Sequence, residues 1–162
     1  MWIIDVWGLT KVSSLGVSHY YVTFVDNSTR RVWVYFLGHK SDVFQTFKKW
    51  KCLVDNETSK RLKCLWFDKG GDYYNNEFEY YCFTNGIHRQ KIVPRTPQEN
   101  GVVEFMNKTI MEHARSMMLN FGLPLNMWSE AINIVVYLIN RDPFTPLGCG
   151  IPEEAWTGKK VS

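Results

Sequence analysis

Trp2-Ile-Ile-Asp-Val-Trp7 is a short apolar run with one carboxylate, Asp5, in its middle. A run of this length reads as a strand, and its neighbours Ile4 and Val6 point to burial for the acid between them. Working outward, His19-Tyr-Tyr-Val-Thr-Phe-Val25 and Arg31-Val-Trp-Val-Tyr-Phe-Leu37 are rich in β-branched and aromatic residues. The polar stretch Asp26-Asn-Ser-Thr-Arg30 joins them as a hairpin, with Asp26 engaged in the turn. The period then changes. Val43, Phe44, Phe47, Trp50 and Val54 follow helical spacing, Ser41 is placed to cap the start, and Lys48, Lys49 and Lys51 read as a solvated face.

Leu62-Lys-Cys-Leu-Trp-Phe-Asp68 returns to a strand and ends in a carboxylate before Gly70-Gly71. A short helix over Glu77–Thr84 is stopped by Asn85-Gly86, and a strand follows over Ile87–Val93. Pro94 and Pro97 impose a loop. Val103, Met106, Ile110, Ala114 and Met117 then mark a helix opened by Glu104, and a last helix runs from about Leu125 to Asn140. This order predicts an α/β fold, a five-stranded mixed sheet with helices on both faces, over residues 1–141. The segment 142–162, with Pro143, Pro146, Gly148, Gly150 and Pro152, reads as a loop-rich tail on the surface.

Composition narrows the function classes. A chain of 162 residues fits one domain, and a net charge of +3 permits a polyanionic partner without demanding one. Cys52, Cys64, Cys82 and Cys149 form no C-x-x-C pair, and His19, His39, His88 and His113 do not cluster, which argues against structural zinc. The cysteines read as reduced and buried, in an intracellular protein. The longest apolar run, Ile134–Ile139, is far short of the roughly 20 residues that span a bilayer, so no membrane partner is expected. Aromatic residues make up 15%, with 7 Trp, so some rings must lie near the surface. Trp50, Met106, Met117 and Trp128 are assigned to the core, and His88 and His113 to structural roles.

Three carboxylates stand out by position: Asp5 within a strand, Asp68 at the end of one, and Glu104 at the start of a helix. Carboxylates that converge in one crevice repel unless cations lie between them. Magnesium, a hard ion that takes oxygen ligands, fits such a site. Spacing alone is weak evidence, because 16 acidic residues in 162 give roughly one pair separated by 36 positions by chance. Glu99 is the competing acid near Glu104. Asp72 is left outside the metal shell.

The surrounding sequence is more specific. Phe67-Asp-Lys-Gly-Gly-Asp-Tyr73 and Val93-Pro-Arg-Thr-Pro-Gln-Glu-Asn-Gly-Val-Val-Glu104 resemble the paired signatures of the integrase core of retroviruses and long-terminal-repeat retrotransposons, the copia type above all. Tyr21-Val-Thr-Phe-Val-Asp26, Val32-Trp-Val-Tyr-Phe-Leu37, Glu112-His-Ala-Arg-Ser-Met117, Trp128-Ser-Glu-Ala131, Val136-Tyr-Leu-Ile-Asn-Arg141 and Pro152-Glu-Glu-Ala-Trp-Thr-Gly-Lys159 extend the likeness over nearly the whole chain, in order.

The resemblance implies a ribonuclease-H-like fold. It also implies a catalytic metal triad of Asp5, Asp68 and Glu104 holding two Mg2+ or Mn2+ ions. The reaction it implies is cleavage of the element's DNA end, or attack of a 3′-hydroxyl on target DNA. It further implies DNA as partner, a homo-oligomer, no small-molecule substrate and a nuclear site of action. Gln98 and Asn100 would position a DNA end. Apart from the resemblance, helical spacing places Asn107, Lys108, Met111 and Arg115 on about one face, where Asn107 is a nucleic-acid contact and Lys108 and Arg115 could hold phosphates, against the plainer reading of a solvated face.

Four positions depart from the family's usual pattern. Lys69 stands in place of Asn, Phe105 in place of a basic residue, Arg95 in place of an aromatic and Leu9 in place of Pro. The zinc domain and the C-terminal DNA-binding region that flank this core in complete integrases are not in the sequence. The expectation is a fragment or decayed copy of a retroelement polyprotein with little strand transfer of its own. The alternatives are a catalytically inactive nucleic-acid-binding or oligomerisation module and, ranked last, a ribonuclease H proper with Asp142 as fourth acid.

Overall fold

Strand alternation sorts the side chains of the central sheet onto two faces, and helices cover both. The computed structural model describes the chain except residues 9, 68–74, 93–96, 144–147 and 149, together with the side chains of 97–100, 102 and 103. The strands are β1 (Trp2–Trp7), β2 (Tyr20–Asp26), β3 (Val32–Leu37), β4 (Cys64–Phe67) and β5 (His88–Lys91). They lie in the order β3-β2-β1-β4-β5. β1, β2 and β3 pair antiparallel, whereas β4 is parallel to both β1 and β5. The five-stranded mixed sheet is therefore the one expected.

The helices are α1 (Val43–Thr58), α2 (Asn76–Thr84), α3 (Pro97–Asn120), α4 (Trp128–Arg141) and α5 (Pro152–Thr157). On one face Trp2, Ile4, Val22, Phe24, Trp33, Leu37 and Leu65 pack against Phe44, Phe47, Trp50 and Val54 of α1 and Phe78 of α2. The Phe24 and Trp50 rings stack there at 4.3 Å. Across the sheet, Tyr21, Val25 and Val32 pack on Met106, Ile110 and Ala114 of α3 and on Trp128, Ile132 and Val135 of α4. Burying a large apolar side chain contributes about 1.5–3 kcal/mol, so these two layers dominate the stability of the sheet. Ile3, on the α3 side, meets Ile92 and Trp66.

Several boundaries differ from expectation for local reasons. Ser41 does not cap α1. It lies inside a 3-10 turn, Lys40–Asp42, where the Asp42 carboxylate accepts the His39 backbone N–H at 3.0 Å. Asn75 caps α2, its side-chain oxygen accepting the Phe78 N–H at 2.9 Å. The 3-10 turn Leu125–Met127 precedes α4, which begins at Trp128. Cys82 is buried as expected, but Cys52 is exposed on α1.

Two differences matter more. Pro97 does not sit in a loop; it is the first residue of α3. Proline is well suited to a first helical position, because the N–H it lacks would have no intrahelical partner there. The segment read as a loose tail also contains α5, whose Trp156 packs edge-on against Trp2 at 5.4 Å and Trp33 at 5.0 Å. The Trp156 indole N–H donates to Glu57 at 3.0 Å, and Glu153 faces Arg31 and Arg141 at 3.9 and 3.8 Å.

Candidate active site

Asp5 lies on the face of β1 that looks toward α3, one residue past the last described rung of the β1–β4 ladder, Ile4↔Phe67. It is partly buried. Two neutral donors meet one of its carboxylate oxygens: the Trp7 indole N–H at 2.8 Å and the Asn107 side-chain amide at 2.6 Å. The Asn107 carbonyl oxygen in turn accepts the Thr23 hydroxyl at 3.2 Å. A carboxylate can only accept, so the amide nitrogen must face Asp5 and the amide oxygen must face Thr23. Thr23 and Asn107 are both 0% exposed, and Thr23 is the cross-strand partner of Asp5. This chain ties β2, α3 and β1 together and sets the rotation of the Asp5 carboxylate.

Asn107 was expected to meet DNA, and its burial corrects that reading. Residues 107 and 108 are adjacent on a helix and point about 100° apart, so the core-facing turn that buries Asn107 leaves Lys108 exposed. Met111 is likewise half-buried against the α4 layer, whereas Lys108 and Arg115 are exposed. The four residues therefore do not share one solvent face. Lys108 stands 3.8 Å from Glu112, both well exposed, a pair that contributes little to stability.

Glu104 does not open its helix. With Pro97 first, it is the eighth residue of α3, beyond the first turn on which the favourable helix dipole acts. Glu104 is exposed and precedes Asn107 by three positions, on the same side of the helix. Asp68 lies outside the described residues, as do Lys69 and Arg95 and the side chains of Gln98 and Asn100. Phe105 is 56% exposed and lines an open cleft of about 960 Å³ between α3 and α4. Among the described residues no group of three or more acidic, histidine or cysteine side chains is positioned to hold a metal ion.

The electrostatics around Asp5 are legible in Tyr21, whose phenol is pushed well above its ordinary value, first by burial and then by the negative charge of Asp5. The Tyr21 hydroxyl is buried and has no hydrogen-bond partner among the described residues.

No family model matches the chain. It is 49% identical over 158 residues, 98% of its length, to "Retrovirus-related Pol polyprotein from transposon TNT 1-94" of Nicotiana tabacum. The chain is a relative of the retrotransposon Pol polyproteins. A second relative, "Retrovirus-related Pol polyprotein from transposon RE2" of Arabidopsis thaliana, is 37% identical over 88% of the chain. The chain spans 12% and 10% of the length of these two polyproteins.

Solved structures agree on the fold. The HTLV-2 integrase catalytic core domain in complex with magnesium, in its trimeric form, superposes with a TM-score of 0.66 at 19% identity, covering 96% of this chain and 94% of that one. The BIV integrase catalytic core domain gives 0.69 at 18% identity, covering 97% and 93%. The architecture is the ribonuclease-H-like fold of integrase cores, as the sequence motifs implied. Among the described residues no helix is long and apolar enough to cross a membrane.

Sequence reasoning missed Thr23 and Trp7, and misplaced Asn107. Thr23 carried a signal, being a small polar residue set between the apolar Val22 and Phe24 within a strand. Trp7 carried none.

Proposed function

We propose that this chain is the catalytic core of a retrotransposon-type integrase, acting on DNA through divalent metal ions held by Asp5, Asp68 and Glu104. One observation carries the reading furthest. Asn107, three residues after Glu104, donates directly to Asp5 across 102 positions of sequence, which brings the helical turn of Glu104 beside the end of β1. The β1–β4 ladder supports the third member. Its last described rung is Ile4↔Phe67, and Asp5 and Asp68 are the next residues of the two chains.

The ions would be Mg2+ or Mn2+, and two of them together supply activation of an attacking oxygen and stabilisation of a leaving one. The chain's own contribution is orientation. Asn107 and Trp7 hold the Asp5 carboxylate without neutralising it, because both donors are uncharged. Lys108 and Arg115, exposed on α3, would hold DNA phosphates, and Gln98 and Asn100 would contact the DNA end. Residues 1–141 form the core of this enzyme, with α5 as a clasp across the sheet. Assembly into a homo-oligomer, and action in the nucleus where target DNA lies, belong to the same proposal.

Titration with magnesium or manganese tests it. Wild-type thermal stability should rise, because an ion that binds only the folded state stabilises it by mass action. Asp5→Asn, Asp68→Asn and Glu104→Gln should each abolish most of the rise. No rise in wild type, or an equal rise in Asp68→Asn, would replace the enzymatic reading with an inactive nucleic-acid-binding module.

A further inference from the structure

Trp7 is 38% exposed although its indole N–H is already bonded to Asp5, and among the described residues it stacks on no other ring. Most exposed aromatics here differ in this respect: Phe83 and Phe121, for instance, carry no polar atom that could fix them. The Trp7 ring is held at its one polar atom, beside the carboxylate that the proposed chemistry uses. Gly8 follows with φ +137°, where a Cβ would come within 2.7 Å of the His19 carbonyl, so only glycine fits directly after the ring. Across the ladder Trp7 pairs with Tyr21, and Tyr21 lines a cleft of about 380 Å³ together with Lys11 and Arg115. Both of those cations are exposed.

We infer that Trp7 is a stacking platform for an unpaired nucleobase at the reacting DNA end, with Lys11 and Arg115 taking the adjoining phosphates. A flat ring of fixed orientation gains stacking with little entropy cost, and it accepts any base because every base has a π-face. Cations lining the cleft beside Tyr21, the cross-strand partner of Trp7, complement the backbone of the same strand. The inference rests on the nucleic-acid reading above and adds the strand form it favours, which is single-stranded rather than duplex.

The test compares two labelled oligonucleotides of equal length by fluorescence anisotropy, in EDTA so that metal plays no part. One is a blunt duplex and the other carries an unpaired overhang with 2-aminopurine as its terminal base. Wild type should bind the overhang more tightly and quench the 2-aminopurine. Trp7→Ala should weaken overhang binding about tenfold while leaving the blunt duplex unchanged. Trp7→Phe loses the bond to Asp5 but keeps a ring face, so it should stay within about threefold of wild type and retain the quenching. It also guards against a folding defect in the alanine variant. Equal overhang binding by wild type and Trp7→Ala, or equal losses on both oligonucleotides, would overturn the platform alone. Wild type that binds neither would bring down the nucleic-acid reading and this inference together.

Discussion

At Asp5 two uncharged donors converge on one carboxylate oxygen, and the more buried of them, Asn107, is itself held by Thr23. Asn107→Leu should cost about 1–3 kcal/mol in urea denaturation, because it strands the buried Thr23 hydroxyl. Adding Thr23→Val should recover part of that loss, since replacing both partners by apolar groups is nearly neutral. The single variant should also show a smaller thermal shift with manganese. A full manganese response in Asn107→Leu would mean that Asp5 needs no positioning.

Two other buried groups set the alkaline limit. Cys82 is held up to about 11, mainly by burial, against an ordinary 9.0. A raised value means that the unfolded thiol ionises first, so its contribution is whole below pH 9 and is lost as pH climbs toward 11. Tyr21 acts in the same direction from its ordinary value of 10.0 upward. Urea midpoints should therefore fall between pH 8.5 and 10.5, and Cys82→Ala should flatten the early part of that fall whatever it costs at neutral pH.

Among the elements, α5 shows what a short helix gains from tertiary contacts. Its six residues cannot hold a helix alone. Trp156 joins Trp2, Trp33 and Trp50 in one aromatic cluster, and the Arg31 guanidinium sits 4.8 Å over the Trp33 ring and 5.7 Å from that of Trp156. Trp156→Ala should destabilise the whole fold by about 2–3 kcal/mol, below the usual 3–5 for a fully buried tryptophan because this ring is only partly covered. Calorimetry should show a single lowered transition. An unchanged melting temperature would make α5 a passive tail. For α3, the early start at Pro97 moves Glu104 deep into the helix, where its position is set by rigid backbone rather than by a frayed end.

For the whole molecule, a net charge of +3 is small, so duplex binding should be weak and strongly dependent on salt. Lys108→Ala should reduce the slope of log affinity against log salt by about one, the signature of one lost phosphate contact. An unchanged slope would leave Lys108 as the solvated partner of Glu112.

The sheet was legible in the sequence because its signals are local: the β-branched and aromatic runs His19–Val25 and Arg31–Leu37 read as strands, and Val43 through Val54 as one helical stripe, within a few residues. The carboxylate motif likewise declared its family through contiguous runs. What the sequence left open was decided by contacts between distant residues. Pro97 satisfies the sterics of a loop and of a first helical turn equally, and only the packing of Met106 and Ile110 extends α3 back to it. Trp156 finds partners that lie more than a hundred positions away, so nothing near it announces a helix. Asn107 became an internal strut rather than a DNA contact because the rotation of α3 against the sheet, set by burial of its apolar stripe, turned that one amide inward to Asp5.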